Sequence, residues 1–486
     1  MKNAKNPPNP VNSPSLEDYE GAYTCFLQKY PAFSRTQPLD ELRQSEYARL
    51  DRQGQIYLDY TGGGLYSDRQ VQAHLDLLQN NVFGNPHSTN PTSLATTHWV
   101  ESARASVLAF FNAAPEEYVC IFTQNASGAL KLVGEAYPFT PQSQYLLTFD
   151  NHNSVNGIRE FARARGAAIH YAPVNPPEMR IDDAKLAALL EMADPNPHNL
   201  FAYPAQSNFS GVQHDLAWIG RAQQKGWDVL LDAAAFAPTN PLDLSAIHPD
   251  FVCLSFYKIF GYPTGVGALV ARRSALAKLH RPWFAGGTIT VASVQGDRYF
   301  LHVGAEGFED GTLNYLTLPA VEIGLKHIQR IGYDAIHTRV ACLTGWLLEQ
   351  FSGLRHSNGL PVVKIYGPLD THMRGGTITL NFFDPRGHFV DHLRVEERAN
   401  QKQISIRTGC FCNPGGGELA LGLTTTELST CFGLKSRMEF HDFQRCIDDK
   451  STGAVRVSVG LVSNFADVYH LIDFARQFID KNSDDI

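Results

Sequence analysis

Short apolar runs recur along the middle of the chain, and each is followed by a polar turn and then by a segment with helical periodicity. Apolar runs of roughly four to eight residues between turn signals are typical of strands buried on both faces of a sheet. Strands that alternate with helices predict a mostly parallel, doubly wound α/β sheet. We predict strands at 119–123, 145–149, 168–172, 200–203, 228–232, 251–255 and 265–270, with helices beginning near 127, 155, 182 and 216.

The pattern changes beyond residue 310, where two long helical segments precede alternating strands. We predict helices at 315–331 and 334–352, strands at 376–382, 404–408 and 454–459, and a closing helix at 464–480. This predicts a large α/β domain, 16–310, followed by a smaller α+β domain, 311–486. Residues 16–55 form an N-terminal segment that joins the large domain. Residues 1–15 are rich in Asn and Pro without an apolar run, so we predict a disordered tail there.

The composition excludes several classes of function. The 486 residues are 43% hydrophobic with a net charge of −8 and no run of Lys or Arg, which argues against binding to nucleic acid or to a membrane surface. No apolar run approaches the ~20 residues of a membrane-spanning helix. The eight cysteines include no Cys-x-x-Cys pair, so we expect no metal site and no disulfide framework. A cytoplasmic protein fits these features.

Polar side chains stand where the predicted strands end. Asp232 ends one strand, and Ser255 ends the next, with Lys258 just beyond it. Because open α/β sheets bind ligands at the carboxyl ends of their strands, we expect these groups to share one crevice. A lysine amine can hold an aldehyde cofactor as a Schiff base, and a carboxylate can keep a pyridine nitrogen protonated. The pair is the minimum that a pyridoxal-phosphate site requires, although a helix cap and a solvated lysine explain the two residues equally well when they are taken alone.

Other strand ends supply further groups that suit this cofactor. The segment 124–128 opens a helix with free backbone amides and a hydroxyl, which suit a phosphate. His152 follows the next strand, and 204–211 adds amide side chains. Each feature alone is explained as a helix cap or a loop residue, but together they favour the cofactor.

The same residues lie in long motifs that carry a family resemblance. Between about 55 and 460 the chain resembles the class-V aminotransferase-fold enzymes, which use pyridoxal phosphate, and most closely the cysteine-desulfurase-like domain of molybdenum cofactor sulfurases. The resemblance implies the fold type I of these enzymes. Its motifs are Phe83-Gly-Asn-Pro-His-Ser88, Pro204-Ala-Gln-Ser-Asn-Phe-Ser-Gly211, Leu231-Asp-Ala-Ala-Ala-Phe236, Ser255-Phe-Tyr-Lys-Ile-Phe-Gly261, Phe308-Glu-Asp-Gly-Thr312, Arg407-Thr-Gly-Cys-Phe-Cys-Asn413 and Val455-Arg-Val-Ser458.

The resemblance also implies a role for each matching residue. Lys258 forms the Schiff base and removes the substrate's Cα proton, Asp232 pairs with the pyridine nitrogen, and His152 stacks on the ring. The phosphate is held by Ala126, Ser127 and Ser255, with Thr312 reaching in from the partner subunit of a homodimer. The substrate carboxylate is bound by Asn208 and Arg456, with Arg407 nearby.

Cys412 matches the mobile catalytic cysteine of the desulfurases, so the resemblance implies that it takes sulfur from L-cysteine as a persulfide and releases alanine. Such a thiol should be partly exposed, near positive charge and on a flexible loop. Arg407 supplies charge, and we expect the run 414–417, which is Pro-Gly-Gly-Gly, to supply flexibility. The spacing of Cys410 and Cys412 does not choose between them, and buried inert thiols are the alternative for both; the resemblance selects Cys412.

Departures from the family pattern leave parts of the chemistry open. The bacterial desulfurases have Gln and His where this chain has Ala235 and Tyr257, and Gly417 stands where the sulfurase branch has a third cysteine. Sulfurases also have a C-terminal β-rich domain that receives the molybdenum cofactor. We expect no such domain within these 486 residues, so the sulfur acceptor stays open.

Two other functions compete with the desulfurase hypothesis. One is a carbon–sulfur lyase, or a related enzyme acting on an amino acid or thioether, which would use Lys258 and Asp232 without needing Cys412. The other is a non-catalytic relative of the fold that serves as a binding partner. The Lys258 and Asp232 pair argues against the second alternative.

Overall fold

The computed structural model describes residues 16–193, 198–433 and 453–485, so the predicted disordered tail at 1–15 lies outside the described residues. The helices are α1 Leu16–Lys29, α2 Pro38–Glu46, α3 Arg49–Arg52, α4 Asp68–Asn80, α5 Pro91–Phe110, α6 Ala126–Ala136, α7 Asn153–Asn156, α8 Ile158–Ala164, α9 Asp183–Leu190, α10 Trp218–Gln224, α11 Phe256–Phe260, α12 Arg273–Leu276, α13 Pro319–Ile331, α14 Tyr333–Gly353, α15 His392–Gln401, α16 Pro414–Leu421, α17 Thr425–Gly433 and α18 Phe465–Arg476. The strands are β1 Ile56–Tyr57, β2 Tyr118–Thr123, β3 Gln144–Thr148, β4 Ala168–Ala172, β5 Val174–Asn175, β6 Arg180–Ile181, β7 Asn199–Pro204, β8 Trp227–Asp232, β9 Phe251–Ser255, β10 Gly267–Arg272, β11 Ile289–Ser293, β12 Arg298–Leu301, β13 Val363–Tyr366, β14 Thr377–Phe382, β15 Ile404–Ser405, β16 Arg407–Gly409 and β17 Ala454–Ser458.

The described part of the chain contains a seven-stranded sheet in the order β2-β10-β9-β8-β7-β3-β4. The pairs from β4 through β9 are parallel, whereas β10 runs antiparallel to both of its neighbours. All residues of β7, β8 and β9 are buried, because helices cover both faces of the sheet. The predicted α/β class, with its large mostly parallel sheet, is confirmed. Strands β7, β8 and β9 end at the same edge of this sheet, and open α/β sheets bind their ligands at the carboxyl ends of the strands.

A smaller antiparallel sheet, in the order β13-β14-β17-β16, lies later among the described residues. It packs against α14 and continues the hydrophobic core. The predicted strand 404–408 is divided in the structure: β15 pairs with β1 in parallel, and β16 joins the small sheet beside β17. The prediction that the chain divides at 310 and 311 stays a prediction.

The strands β5, β6 and β13 were not foreseen from the sequence, and neither was the β-hairpin of β11 with β12. Its apolar residues are largely exposed, with Phe300 at 63% and Val294 at 99% exposure, so the burial pattern that identifies a strand is missing. Among the helices of the described ranges, none is long and apolar enough to cross a bilayer.

Candidate active site at the carboxyl edge of the large sheet

A cavity of about 210 Å³ opens where β7, β8 and β9 end. The strand ends and the following turns contribute its walls, as expected for an open α/β sheet. Its lining residues are Asn125, Ala126, Ser127, Leu130, His152, Pro204, Gln206, Asn208, Asp232, Ala234, Ala235, Ser255, Tyr257 and Lys258. Seven of the eleven residues predicted for the site therefore line this cavity.

Lys258 and Asp232 lie in the same cavity because β8 and β9 are parallel neighbours. Asp232 is the last residue of β8, and Lys258 lies in the short helix α11 that directly follows β9. Burial lowers the pKa of the Lys258 amine, and the nearby Asp232 carboxylate opposes this shift. A lysine with a lowered pKa offers a larger neutral fraction, which is the nucleophilic and basic form.

Helix α11 ends at Gly261, which adopts the left-handed conformation with φ of 79° and packs against the backbone of Leu65 and Tyr66. A Cβ atom at this position would lie 2.2 Å from the backbone carbon of Leu65. Glycine is therefore required here both by the positive φ and by the close approach of another segment. This close packing lies at the end of the helix that carries Lys258.

One of the two carboxylate oxygens of Asp232 accepts a hydrogen bond from the turn that follows the strand. Its Oδ1 accepts a hydrogen bond of 3.0 Å from the backbone N–H of Ala234. No residue in the described ranges donates a hydrogen bond to the other oxygen, and the side chain lines the cavity. That oxygen is placed to accept a hydrogen bond from a protonated ring nitrogen.

The N-terminus of α6 forms the opposite end of the cavity. The N–H of Ala126 donates to the hydroxyl of Ser255 over 2.9 Å, and Asn125 caps the helix by accepting from the N–H of Gly128. The Ser127 hydroxyl lies 2.6 Å from that of Ser154. The positive end of the dipole of this eleven-residue helix, with the Ser127 and Ser255 hydroxyls beside it, suits an anion such as a phosphate group.

His152 supplies a flat ring on one wall of the cavity. It is the N-cap residue of α7, and its Nδ1 accepts a hydrogen bond of 3.1 Å from the N–H of Ser154. Burial lowers the pKa of the imidazole, and the charge of Asp232 opposes this shift. The ring is thus held neutral, with its orientation set by the cap.

These groups fit pyridoxal phosphate by the chemistry of the donor set. The helix N-terminus meets the phosphate, the imidazole offers a stacking surface, one carboxylate oxygen meets the ring nitrogen, and the amine meets the aldehyde. Ala126, Ser127, His152, Asp232, Ser255 and Lys258 all line one cavity. The cofactor predicted from the sequence is pyridoxal phosphate, and the site accommodates each of its functional groups.

The residues predicted to bind a substrate carboxylate differ in their position relative to the cavity. Asn208 lines it, whereas Arg456 and Arg407 do not. Arg456 is buried and donates to the backbone oxygen of Asn208 over 3.1 Å and to Oδ1 of Asp59 over 3.0 Å. Arg407 is half-exposed and donates to Oδ2 of Asp59 from both Nε (2.9 Å) and Nη2 (2.6 Å).

Asp59 is thus a shared counter-ion that sequence reasoning missed. Arg407 and Arg456 are directly opposite in the register of β16 and β17, which places two positive charges side by side. Burial lowers the pKa of Arg456, and Asp59 is the charge that opposes this shift most strongly. A signal was available, since Asp59 follows a short apolar run, as Asp232 and Ser255 do.

Cys412 is exposed and lies in a tight turn outside the lining of the cavity. The turn closes with a hydrogen bond of 2.9 Å from the N–H of Asn413 to the oxygen of Cys410. Both central residues are left-handed, Phe411 with φ of 55° and Cys412 with φ of 54°. The N–H of Asn153, next to His152, donates to the Cys412 oxygen over 2.6 Å, which fixes the turn beside the cavity.

Asn413 is a second residue that sequence reasoning missed. It is buried and caps α16 by accepting from the N–H of Gly416 over 3.0 Å. Its Nδ2 donates to the oxygen of Asp150 (2.6 Å) and to Oδ1 of Asn208 (2.9 Å). An Asn before Pro at the first helical position is an N-cap signal that the sequence carried.

The prediction that the Pro-Gly-Gly-Gly run is a flexible loop was wrong. Residues 414–417 form the first turn of α16, and their three glycines are buried. A Cβ atom at Gly415 would lie 1.9 Å from the oxygen of Phe149, and one at Gly416 would lie 2.9 Å from the ring of Phe209. These two glycines therefore let the helix approach the strand-end loops closely.

Two other placements complete the comparison with the sequence. Thr312 lies outside the cavity of its own chain, within hydrogen-bonding distance of Asn85 (3.4 Å).

Buried His214 and Asp150 form a pair with Nε2 and Oδ2 2.9 Å apart. The imidazole of His214 keeps the pKa of Asp150 below its usual value despite burial. Nothing local in the sequence indicated this pair, because its members are joined only by the fold.

Known proteins resemble this chain over most of its length. Residues 56–471 match the family model described as "Aminotransferase class-V". Molybdenum cofactor sulfurase from Arabidopsis thaliana is 39% identical over 476 residues, covering 90% of this chain and 57% of the relative. The Homo sapiens protein of the same name is 37% identical over 458 residues, covering 90% and 51%. The chain thus spans between half and three-fifths of the length of these curated relatives.

Solved structures share the fold at lower identity. The apo cysteine desulfurase from Thermococcus onnurineus superposes with a TM-score of 0.74 at 24% identity, covering 90% of this chain and 97% of that one. A cystine C–S lyase, C-DES, in complex with cysteine persulfide superposes with a TM-score of 0.64 at 19% identity, covering 87% and 98%. The predicted fold type I is confirmed. By its fold, its cofactor site and the family model, the chain belongs to the class-V aminotransferase family of pyridoxal-phosphate-dependent enzymes.

Proposed function

We propose that this protein is a desulfurase-type sulfurtransferase that takes sulfur from L-cysteine onto Cys412 and releases alanine. The observation that carries the proposal is the position of Cys412, an exposed thiol in a turn that hydrogen-bonds directly to the loops bearing His152 and Asn208. A lyase would have no use for a thiol held there. The sulfurase and desulfurase relatives support the same class of chemistry.

The two cysteines of the turn differ in the way that the proposal requires. Burial raises the pKa of Cys410, and the neighbouring Cys412 and Glu418 raise it further. Cys412 is exposed, and it is close enough to the buried guanidinium of Arg456 for a thiolate there to favour the charged form of that arginine. Because the thiolate is the reactive form, an exposed thiol near positive charge is the better sulfur acceptor.

Each cavity residue has a defined task in this proposal. Pyridoxal phosphate, when bound, supplies an electron sink for bonds at the substrate's α and β carbons. Lys258, with its lowered pKa, moves the proton at the substrate's Cα. Asp232 and the N-terminus of α6 hold the cofactor at its two ends, and His152 holds the ring between them. Asn208 and Arg456 bind the substrate carboxylate.

The sulfur transfer balances without an added oxidant. The Cys412 thiolate attacks the substrate's sulfur, the Cβ–S bond breaks, and an S–S bond forms on Cys412. The Cβ atom takes up a proton to become the methyl group of alanine, so one cysteine and one thiol give alanine and a persulfide. We further propose a homodimer in which Thr312 completes the partner's phosphate site, and a separate sulfur acceptor in the cytoplasm.

The test compares Cys412→Ala with the matched variant Cys410→Ala, both assayed with L-cysteine. We expect Cys412→Ala to lose alanine formation while the visible absorbance of the bound cofactor stays intact, and Cys410→Ala to retain most of the turnover. Mass spectrometry of the wild-type protein after cysteine should show Cys412 heavier by one sulfur atom. Unchanged turnover in Cys412→Ala, with pyruvate as the product, would reject the proposal in favour of a lyase.

A further inference from the structure

The turn that carries Cys412 occupies both polar atoms of the Asn208 side chain. Asn208 donates from Nδ2 to the oxygen of Phe411 over 2.7 Å and accepts at Oδ1 from Nδ2 of Asn413 over 2.9 Å. The Asn208 side chain also lines the cofactor cavity. Both hydrogen-bonding atoms of the Asn208 amide are therefore occupied by the cysteine turn, although Asn208 is proposed to bind the substrate carboxylate.

The turn also covers Arg456, the other residue proposed to bind the carboxylate. The guanidinium carbon of Arg456 lies 4.8 Å from the centre of the Phe411 ring, in the range of a cation–π contact. Arg456 is 3% exposed, and within the described ranges its buried Nε–H has no acceptor. An unpaired buried donor on a charged group is costly, so an incoming anion would be bound strongly there.

The turn itself is held in a costly backbone conformation. Phe411 and Cys412 are consecutive non-glycine residues with positive φ, a conformation that is unfavourable for residues with a side chain. They persist only where surrounding contacts outweigh the cost. Here the contacts from Asn208, Asn413 and Arg456 provide that support. Removing some of them should allow the turn to relax.

We infer that the substrate's carboxylate competes with the cysteine turn for Asn208 and Arg456, so that substrate binding releases the turn and frees Cys412 to move. Phe411 is then a positioning residue, because its backbone oxygen and its ring are the two points at which the turn contacts these side chains. The inference rests on the proposed function, since it assumes that an amino acid binds beside Cys412. It adds that the carboxylate, rather than the thiol, is the trigger.

This arrangement keeps the exposed Cys412 thiol in place until a substrate is bound. Cys412 is fixed by the hydrogen bond from the Asn153 N–H to its own oxygen and by the hydrogen bond from Asn208 to the Phe411 oxygen. A ligand without a carboxylate leaves the hydrogen bond from Asn208 in place, and a ligand with one breaks it. Movement of the turn is thereby limited to the state in which an amino acid occupies the site.

Hydrogen exchange on the cofactor-loaded enzyme tests the inference without requiring turnover. The amides to follow are those of Asn413, bonded to the Cys410 oxygen, and Asn153, bonded to the Cys412 oxygen. The probes are L-alanine and ethylamine, which share an amine and differ by the carboxylate. We expect saturating L-alanine to speed exchange at both amides by roughly fivefold or more, the lower range for coupling between sites, and ethylamine to leave it unchanged.

Two variants make the test specific to Phe411. Phe411→Gly tolerates positive φ and removes the ring, and Phe411→Leu removes only the aromatic face. We expect either variant that retains cofactor absorbance to show a smaller acceleration by L-alanine than the wild type. Equal exchange with and without L-alanine in the wild type, or slower exchange, would overturn the inference. That outcome differs from failure of the proposed function, which is read from alanine and persulfide formation in Cys412→Ala.

Discussion

Replacing Asp59 by Asn removes the negative charge that Arg407 and Arg456 share, while keeping the shape of the side chain. Asp59 is 7% exposed and Arg456 is 3% exposed, so Asp59→Asn leaves a buried guanidinium without its counter-ion. Breaking a buried ion pair from one side costs roughly 3–5 kcal/mol. We expect the free energy of unfolding to fall by about that amount.

The matched variant is Arg407→Gln, which removes the other partner of the same carboxylate. The Arg407 side chain is 52% exposed, and exposed ion pairs contribute only about 0–1 kcal/mol. We therefore expect Arg407→Gln to cost a small fraction of the Asp59→Asn loss. It also relieves the repulsion between Arg407 and Arg456, which are opposite each other in their sheet.

A third variant perturbs the same site without changing any charge. A Cβ atom at Gly62 would lie 2.4 Å from Oδ2 of Asp59 and 2.8 Å from Nη2 of Arg407. Gly62→Ala must push the carboxylate away from its partners, so we expect a loss between those of the other two variants. The assay is equilibrium urea unfolding followed by circular dichroism. A cost for Arg407→Gln equal to that for Asp59→Asn would refute the reasoning from burial.

Three further outcomes are expected. Asp232→Asn should weaken cofactor binding roughly tenfold or more in equilibrium dialysis, because a hydrogen bond to a charged group is lost. Asn413→Ala should cost about 2–4 kcal/mol in urea unfolding, since a helix cap and two buried donations disappear, and a loss under 1 kcal/mol would contradict this. Burial lowers the pKa of His327 to about 4 from 6.5; the unfolded chain binds its proton first, so stability should fall by about 3 kcal/mol as pH drops from 6.5 towards 4. His327→Gln, which does not titrate, should show a shallower fall in acid unfolding curves, and an unchanged pH profile would exclude His327 as the cause.

The sequence was sufficient for the large sheet and for the groups at its edge. Buried parallel strands are short apolar runs, and the residue that ends each run is read directly from the chain. Asp232, Ser255 and Lys258 were found this way, since their meeting requires only that β8 and β9 be parallel neighbours. The hairpin of β11 and β12 was missed because nearly all of its residues are exposed, so buried and exposed positions do not alternate along its strands.

What the tertiary structure alone decided concerns contacts between residues far apart in the chain. Asp59 meets Arg407 and Arg456 across 348 and 397 residues, and no local pattern encodes which arginine a carboxylate will find. The Pro-Gly-Gly-Gly run shows the same limit: glycine permits both a flexible loop and a closely packed helix, and only the neighbouring backbone of Phe149 selects the helix. Local sequence thus determined which chemical groups reach the sheet edge, because strand period and strand ends are local properties. Their partners were decided by the fold, because packing and charge pairing depend on distances that only the folded chain sets.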